Sequence, residues 1–335
     1  MDRRRSTNLA DTGDHSPITV RPLAPADVEE LTAIVVASFG DEMALSRATP
    51  SVMRAQLRAA VAASSPPLSL IARVLGETVE FWVATYEGRI AGCCALHGRT
   101  HLMISTVAVA EYLRRRGIGR ALMEHCIRRA GRLGKRYVLL EVLANNTPAV
   151  SLYISLGMRE YDRRRSFSLN LSERGDGAIL PPELKVERLG SRNLEGWLRA
   201  LTASTSMEAR NLRDVYGVEY LSSRPGRWLA ARSPWERTAR RVVMLNGAPV
   251  AYTCVRSRDD RARWAAEILP PIYTIEARPY LESILSELTA EAARHSKATV
   301  RLYLSEARPC EKGWEAALSL GYSSDWTWSY MYRAV

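Results

Sequence analysis

Val107–Met123 reads V-A-V-A-E-Y-L-R-R-R-G-I-G-R-A-L-M. An apolar, β-type run enters a glycine-containing loop that opens a helix. Glycines at 117 and 119 let the backbone come close to a ligand, so that amides from about Arg115 to Arg120 can converge on a pyrophosphate at the helix N-terminus. No Lys-Ser or Lys-Thr follows the second glycine, so this is not a nucleotide P-loop. The third, strand-linked glycine of a dinucleotide fingerprint is missing too. Taken alone, such a G-x-G is a weak signal that an ordinary turn also produces.

The surrounding pattern gives it a context. Ile18 to Leu23 reads as a strand, and Pro25 to Phe39 carries apolar residues at Val28, Leu31, Ile34, Val35 and Phe39, a helical period. A helix over Ser51–Ala63 follows. Glu80–Tyr86 and Arg89–Leu96 flank Glu87-Gly88 as a hairpin. Then come a strand over Leu102–Val109, a helix over Gly119–Leu133, and the apolar strand R-Y-V-L-L-E-V after Lys135. Thr147-Pro148 opens another helix, with Thr147 as the expected N-cap, and Gly157 closes it. Arg165–Leu171 is the last strand, giving the order βααβββαβαβ.

A second block, L-L-E-V-L-A-N-N-T-P-A-V-S-L-Y-I-S-L-G-M (Leu139–Met158), supplies a carboxylate on a strand and a tyrosine on the next helix. The two blocks together resemble the GNAT superfamily of N-acetyltransferases, over Ile18–Leu171 and in the same order of elements. Arg114, Gly117 and Gly119 match that family's R/Q-x-x-G-x-G/A, and Leu152-Tyr153-x-x-Leu156-Gly157-Met158 matches its L-Y-x-x-L-G-F.

The resemblance implies an α/β fold, a mixed and mostly antiparallel sheet with flanking helices, and acetyl-CoA as acyl donor with no metal. The strand before the loop would splay from its neighbour, and backbone groups at Val107 and Val109 would hold the pantetheine and the thioester. An amide near Val109 would polarise the acetyl carbonyl. Arg114, Arg115, Arg116, Gly117, Ile118, Gly119 and Arg120 would form the pyrophosphate loop. Tyr153, with an ordinary pKa near ~10, would protonate the departing thiolate, or else is simply a packed aromatic.

The amine must lose a proton as well. An α-amine with pKa near ~8 is about one-tenth neutral at pH 7, whereas a lysine near ~10.4 is neutral in well under a thousandth of molecules. Glu141 lies in L-E-V, similar to the ribosomal-protein alanine N-acetyltransferase branch, where the matching glutamate is the base. It would act directly or through water, or only orient the substrate. Asn145 and Asn146 bond the cofactor or cap the helix. The acceptor implied is a peptide or protein amine, with a small-molecule amine, such as a metabolite or antibiotic, as the alternative. A non-catalytic acyl-CoA-binding regulator is a third reading, which the presence of Glu141 and Tyr153 disfavours. The segments Gly40–Pro50 and Arg159–Arg165 are expected to be acceptor loops, with Arg163–Arg165 a solvated turn.

The pattern then restarts. At an offset of 164 residues Leu156-Gly157-Met158 falls on Leu320-Gly321-Tyr322 and Arg114 on Arg278, while Gly117, Gly119, Glu141 and Tyr153 fall on Leu281, Ser283, Ser305 and Ala317. The expected organisation is a disordered tail at 1–16, a catalytic domain at 17–171, a linker at 172–183 and a degenerate copy at 184–335. The tandem arrangement is similar to mycothiol synthase, with the active copy first. The aromatics Trp264, Trp314, Trp326, Trp328, Tyr330 and Tyr332 are expected to serve packing, or to line a groove.

The chain has 335 residues and a formal net charge of +11. Only four of its 47 basic residues are lysine (Lys135, Lys185, Lys297, Lys312), the bias a GC-rich genome produces, so the charge is weak support for nucleic acid. No apolar run reaches the ~18 residues of a membrane span, and no apolar stretch follows the basic N-terminus, so a cytoplasmic protein is expected. The five cysteines lack metal-type spacing with the five histidines and are expected to be buried, apolar residues rather than disulfides or ligands. Nothing here decides between monomer and dimer.

Overall fold

The computed structural model describes residues 17–40, 49–64, 78–99, 101–173, 180–189, 236–258, 265–269, 271–294, 298–305 and 311–335. The tail at 1–16, most of the Gly40–Pro50 segment, residues 174–179 of the linker, Trp264 and Cys310 lie outside them. The chain divides into two compact units, residues 1–99 with 104–129, and residues 100–103 with 130–335.

In the first unit the strands β1 (Ile18–Pro22), β2 (Thr78–Tyr86), β3 (Arg89–Gly98) and β4 (Leu102–Val109) lie side by side in that order. The helices α1 (Val28–Ser38) and α2 (Pro50–Ser64) cover one face. There Leu31, Val35 and Leu57 pack on Val83, Cys93 and Ala108, the apolar stripe of α1 meeting alternate strand residues. The helix α3 (Ile118–Arg132) also belongs to this unit up to Arg129, and its Cys126 lies with Sγ 3.3 Å from that of Cys94, a thiol contact between buried residues. Cys93 is also buried, which pushes its thiol pKa up to about 12. Cys93, Cys94 and Cys126 therefore serve as small apolar residues.

The start of α1 is anchored by charge. Arg21 grips both oxygens of Asp27 at 2.6 and 2.7 Å, and the amide of Ala24 donates to Asp27 at 2.7 Å. The Arg21 hydrogen bonds hold the Asp27 carboxyl below its ordinary pKa against the opposing effect of burial.

In the second unit the order is β5 (Tyr137–Leu143), β13 (Ser323–Ala334), β6 (Arg159–Asn170), β12 (Thr299–Ser305), β10 (Ala265–Ile268), β9 (Ala248–Arg258), β8 (Glu236–Leu245) and β7 (Leu184–Arg188), with β11 (Ile272–Tyr273) on β9. The last strand of the chain is thus inserted between β5 and β6. Its ladder with β5 runs from Trp328 opposite Leu143 to Ala334 opposite Tyr137. The helices α5 (Leu281–Ala293) and α6 (Glu311–Ser319) cover the Val300, Leu302 and Leu304 face of β12. The helix α4 (Thr147–Ser155) connects β5 to β6.

The duplication is visible in the elements: α6 and β13 begin and end 164 residues after α4 and β6. Both helices end in a left-handed glycine, Gly157 at φ +78° and Gly321 at φ +85°. In each, the next amide returns to the helix, Met158 to Tyr153 and Tyr322 to Ala317, both at 3.1 Å. The hairpins β2–β3 and β8–β9 turn through Glu87-Gly88 and Asn246-Gly247, all four residues left-handed, as a two-residue turn requires.

Two expectations are corrected. The last strand of the first copy starts at Arg159 rather than Arg165, so Arg163–Arg165 is not a solvated turn or loop. Its arginines alternate between the two faces of β6, and Arg164 is buried because Asp162 neutralises it. The N-cap of α4 is Asn146, whose side chain accepts from the Ala149 amide at 3.3 Å, and Thr147 is the first helical residue.

Ending the chain at Tyr322, without β13, should expose the amides of Val138–Leu143 to hydrogen exchange; unchanged protection would contradict the ladder. Asp27→Asn should cost about 2 kcal/mol near neutral pH. The Asp27 contribution is complete above the unfolded pKa of about 3.9 and is lost as pH falls through the lower folded value. Acid unfolding of the variant should therefore show less pH dependence below about 4, as measured by circular dichroism.

Candidate functional site

In the first unit β4 is built to re-aim its own backbone. Thr106 has φ +54°, a left-handed conformation that is costly for a β-branched residue, and it precedes Val107–Val109. Opposite, Gly92 of β3 has no room for a side chain, because a Cβ there would lie 2.3 Å from the Ala108 carbonyl oxygen. Beside it the β2–β3 register slips between Ala84 and Thr85, leaving Ala91 bulged, and its carbonyl accepts from the Ala110 amide at 2.8 Å. The glycine and the bulge were missed in the sequence, since close approach of a neighbouring strand leaves no local pattern.

The loop continues the theme. Arg115 has φ +65° and Gly117 φ +83°, with Arg114 extended before them. Left-handed residues of this kind turn successive amides toward one point, and the first amides of α3 have no helical acceptor. The Ala121 amide is the one that returns to Gly117, at 2.9 Å. Ile118 is buried and anchors the helix start, while Arg114–Arg116 and Arg120 are exposed. The arginines differ in what holds them. Arg114 Nε donates to the Val109 carbonyl at 3.4 Å, Arg116 donates to the Tyr86 hydroxyl at 3.2 Å, and Arg120 lies 3.6 Å from Glu124. The loop is thus a concave set of donors within cationic surroundings, which suits a pyrophosphate.

The remaining candidates belong to the second unit. Glu141 sits on β5 opposite Tyr330 of β13, and is exposed. The chain leaves β5 through Asn145 and Asn146, both exposed, into α4, where Tyr153 is buried. Asn146 caps this helix; Asn145 offers its carbonyl to the Thr147 amide at 2.8 Å.

The corresponding stretch of the second copy is closed. A 3-10 turn, Ile275–Tyr280, runs straight into α5, with the Ala277 amide donating to Thr274 at 3.2 Å, as Leu113 does to Ala110 in the first copy, and the Leu281 amide donating to Arg278. No residue of that turn has positive φ, and Pro279 has no amide hydrogen. Among the described residues no group of three or more His, Cys, Asp or Glu is placed to hold a metal ion, and no helix is long and apolar enough to cross a membrane.

Residues 51–158 match the model of the Acetyltransferase (GNAT) family. The [Ribosomal protein bS18]-alanine N-acetyltransferase of Escherichia coli (strain K12) is 39% identical over 74 residues, 22% of this chain and 50% of the relative. The protein of the same name from Salmonella typhimurium is 38% identical over the same length. The chain thus spans about half the length of the curated relatives it matches.

Solved structures match far more of it. A tandem GNAT protein from the clavulanic acid biosynthesis pathway aligns at TM-score 0.55 and 18% identity, covering 95% of this chain and 98% of the other. A GCN5-related N-acetyltransferase from Sphaerobacter thermophilus aligns at TM-score 0.58 and 14% identity, covering 95% and 96%. At these identities the likeness is one of fold.

Gly92→Val should weaken binding of a pyrophosphate-bearing ligand by about tenfold or more in calorimetry, because the Ala108 carbonyl must move. Gly117→Ala should cost about 1 kcal/mol of stability for its left-handed φ. Unchanged affinity in Gly92→Val would show that the β3–β4 approach does not matter to the loop.

Proposed function

We propose that this protein is an acetyl-CoA-dependent N-acetyltransferase, its catalytic copy at 17–171 and a degenerate copy at 184–335, acting on a primary amine of a peptide or protein. The observation that carries the reading is the left-handed Arg115 and Gly117 at the start of α3, a backbone conformation that suits a pyrophosphate and that the second copy replaces by a closed turn. One acetyl-CoA per chain follows. Identity to relatives named for an alanine acceptor supports an α-amine acceptor.

In this reading the amine attacks the acetyl carbon, a C–N bond forms and the C–S bond breaks. Amides at Val107 and Val109 hold the thioester, and one near Val109 meets the negative charge on the acetyl oxygen. Glu141 takes the ammonium proton, directly or through water, and Tyr153 gives its proton to the CoA thiolate. The pyrophosphate rests on the amides from Arg115 to Arg120, with Arg114 bracing the loop through Val109.

A screen of alanyl and other peptide amides against small-molecule amines, read by thiol release, tests the acceptor; turnover with small amines alone would sink the peptide reading. Tyr153→Phe should lower kcat by about 10²-fold with acetyl-CoA affinity unchanged. Retained turnover would remove Tyr153 as the acid. Two equivalents of acetyl-CoA per chain in a titration would overturn the one-site count.

A further inference from the structure

Residues directly opposite each other in an antiparallel ladder point to the same side of the sheet. Glu141 of β5 faces Tyr330 of β13, and two residues earlier on β13 Trp328 faces Arg164 of β6, which in turn faces Ser305 of β12. These side chains therefore share one face of the second unit. On it Arg164 lies 3.9 Å above the ring of Tyr330 and binds Asp162 at 2.7 Å, with side chains 4% and 0% exposed. The hydroxyl of Ser305 donates to the other Asp162 oxygen.

A buried ion pair is a poor source of stability, because desolvation offsets its attraction. An apolar pair would fill the same space at no such cost. What the pair adds is a fixed guanidinium on the same face, two strands over from Glu141, against the ring of Tyr330 that stands directly opposite Glu141. Its orientation is set from two sides, by Asp162 and by the ring of Tyr330.

We propose that Arg164, held by Asp162 and Ser305, is a positioning residue for Glu141: it fixes Tyr330 beside the carboxylate, while Asp162 balances its charge so that the carboxylate keeps the field in which it takes the acceptor's proton. The inference rests on Glu141 being the base. It also gives the second copy a role, since Tyr330 and Ser305 both belong to it.

Other groups of the second unit act on the same carboxylate. Tyr303 and Arg301 on β12 and Glu267 on β10 share this face, and Asp325 of β13 bonds Ser168 of β6 at 2.8 Å. Burial holds the Tyr303 phenol above its ordinary range, the charges of Glu267 and Glu141 add to this, and Arg301 opposes it. The Glu141 charge is therefore felt along the face. Nearer β5, the rings of Tyr161 and Tyr332 pack edge-on with Tyr330 or each other, and His101 lies against Tyr137.

The test is a carboxylate NMR titration of the full chain carrying ¹³C-labelled glutamate, the Glu141 signal being assigned by its loss in Glu141→Gln. Asp162→Asn removes the Asp162 charge from beside a guanidinium that does not deprotonate. The Glu141 midpoint should fall by about half a pH unit. The double variant Asp162→Asn/Arg164→Gln buries no unpaired charge, should fold if the single variant does not, and should return the midpoint to the wild-type value in the former case. If only the double variant folds, its kcat should drop at least tenfold, because Tyr330 has lost its guanidinium, with the Glu141 midpoint kept; unchanged kcat would overturn the proposal.

The acid limb of kcat, measured with an alanyl peptide amide, should move with the midpoint and vanish in Glu141→Gln. Persistence of that limb in Glu141→Gln would remove Glu141 as the base, and the proposal with it. Loss of the limb there, with an unmoved midpoint in Asp162→Asn, would keep the base and overturn the role of Arg164.

Discussion

The ladder between Tyr137–Leu143 and Trp328–Ala334 is the constraint on which the second unit depends. Backbone amides and carbonyls inside a sheet must be paired, and β5 and β6 both find partners in a strand that ends the chain. The pairing continues past the regular ladder, with Ala144 donating to Thr327 and Val335 to Arg136. Arg333 also donates to the Leu156 carbonyl, tying the end of α4 to the same strand. Glu141 is on β5 and Tyr153 is on the helix that follows it, so the positions of both depend on residues of the second repeat.

Comparison of the copies separates what serves the fold from what serves a ligand. Both keep the left-handed glycine behind the helix, the two-residue hairpin turn, and the amide that ties each hairpin to the segment before the first strand, Glu87 to Pro17 and Asn246 to Glu183. These devices fix where strands begin and how hairpins twist, and a fold needs them whether or not it binds anything. The loop before α3 has no such duty. Its left-handed Arg115 and Gly117 hold the backbone in a conformation that carries a cost of its own. The second copy, with Leu281 and Ser283 in place of the two glycines, continues its 3-10 turn directly into α5 with no residue at positive φ.

The features legible in the sequence were those with local causes. Gly117, Gly157 and Gly321 stand where φ must be positive, the hairpin turns carry their own residues, and the 164-residue repeat reappears in the bounds of α6 and β13. What was not legible depends on partners distant in the chain. Nothing in Trp328–Ala334 says that it pairs with residues some 190 positions earlier, and nothing near Gly92 says that the Ala108 carbonyl lies against it. The run R-E-Y-D-R-R-R looked like a loop because it is charged. It forms a strand because its neighbours on both sides supply the ladder, and because Asp162 and the Tyr330 ring together make burial of Arg164 tolerable. Charge patterning alone cannot distinguish a solvated arginine from one neutralised by a residue two positions away.

The first unit concentrates unfavourable backbone in one short stretch. Thr106, Arg115 and Gly117 are left-handed within twelve residues, and outside that stretch a Cβ on Gly92 would lie 2.3 Å from the Ala108 carbonyl oxygen. Non-glycine residues in that region cost on the order of 1–2 kcal/mol each. Such strain persists only where the surroundings over-determine it. Here α1 and α2 pack one face of the sheet, Arg21 and Asp27 pin the start of α1, and Glu80 grips Arg129 near the end of α3 at 2.6 Å. The strained stretch is thus bracketed by an apolar layer and two bidentate ion pairs, both of which lie outside it. Rigid anchoring on either side of a backbone held in costly conformations is what a preorganised set of amides requires, since amides free to relax would turn to solvent or to each other. The observed φ values give the loop of the first copy this form, and the turn of the second copy has no residue at positive φ.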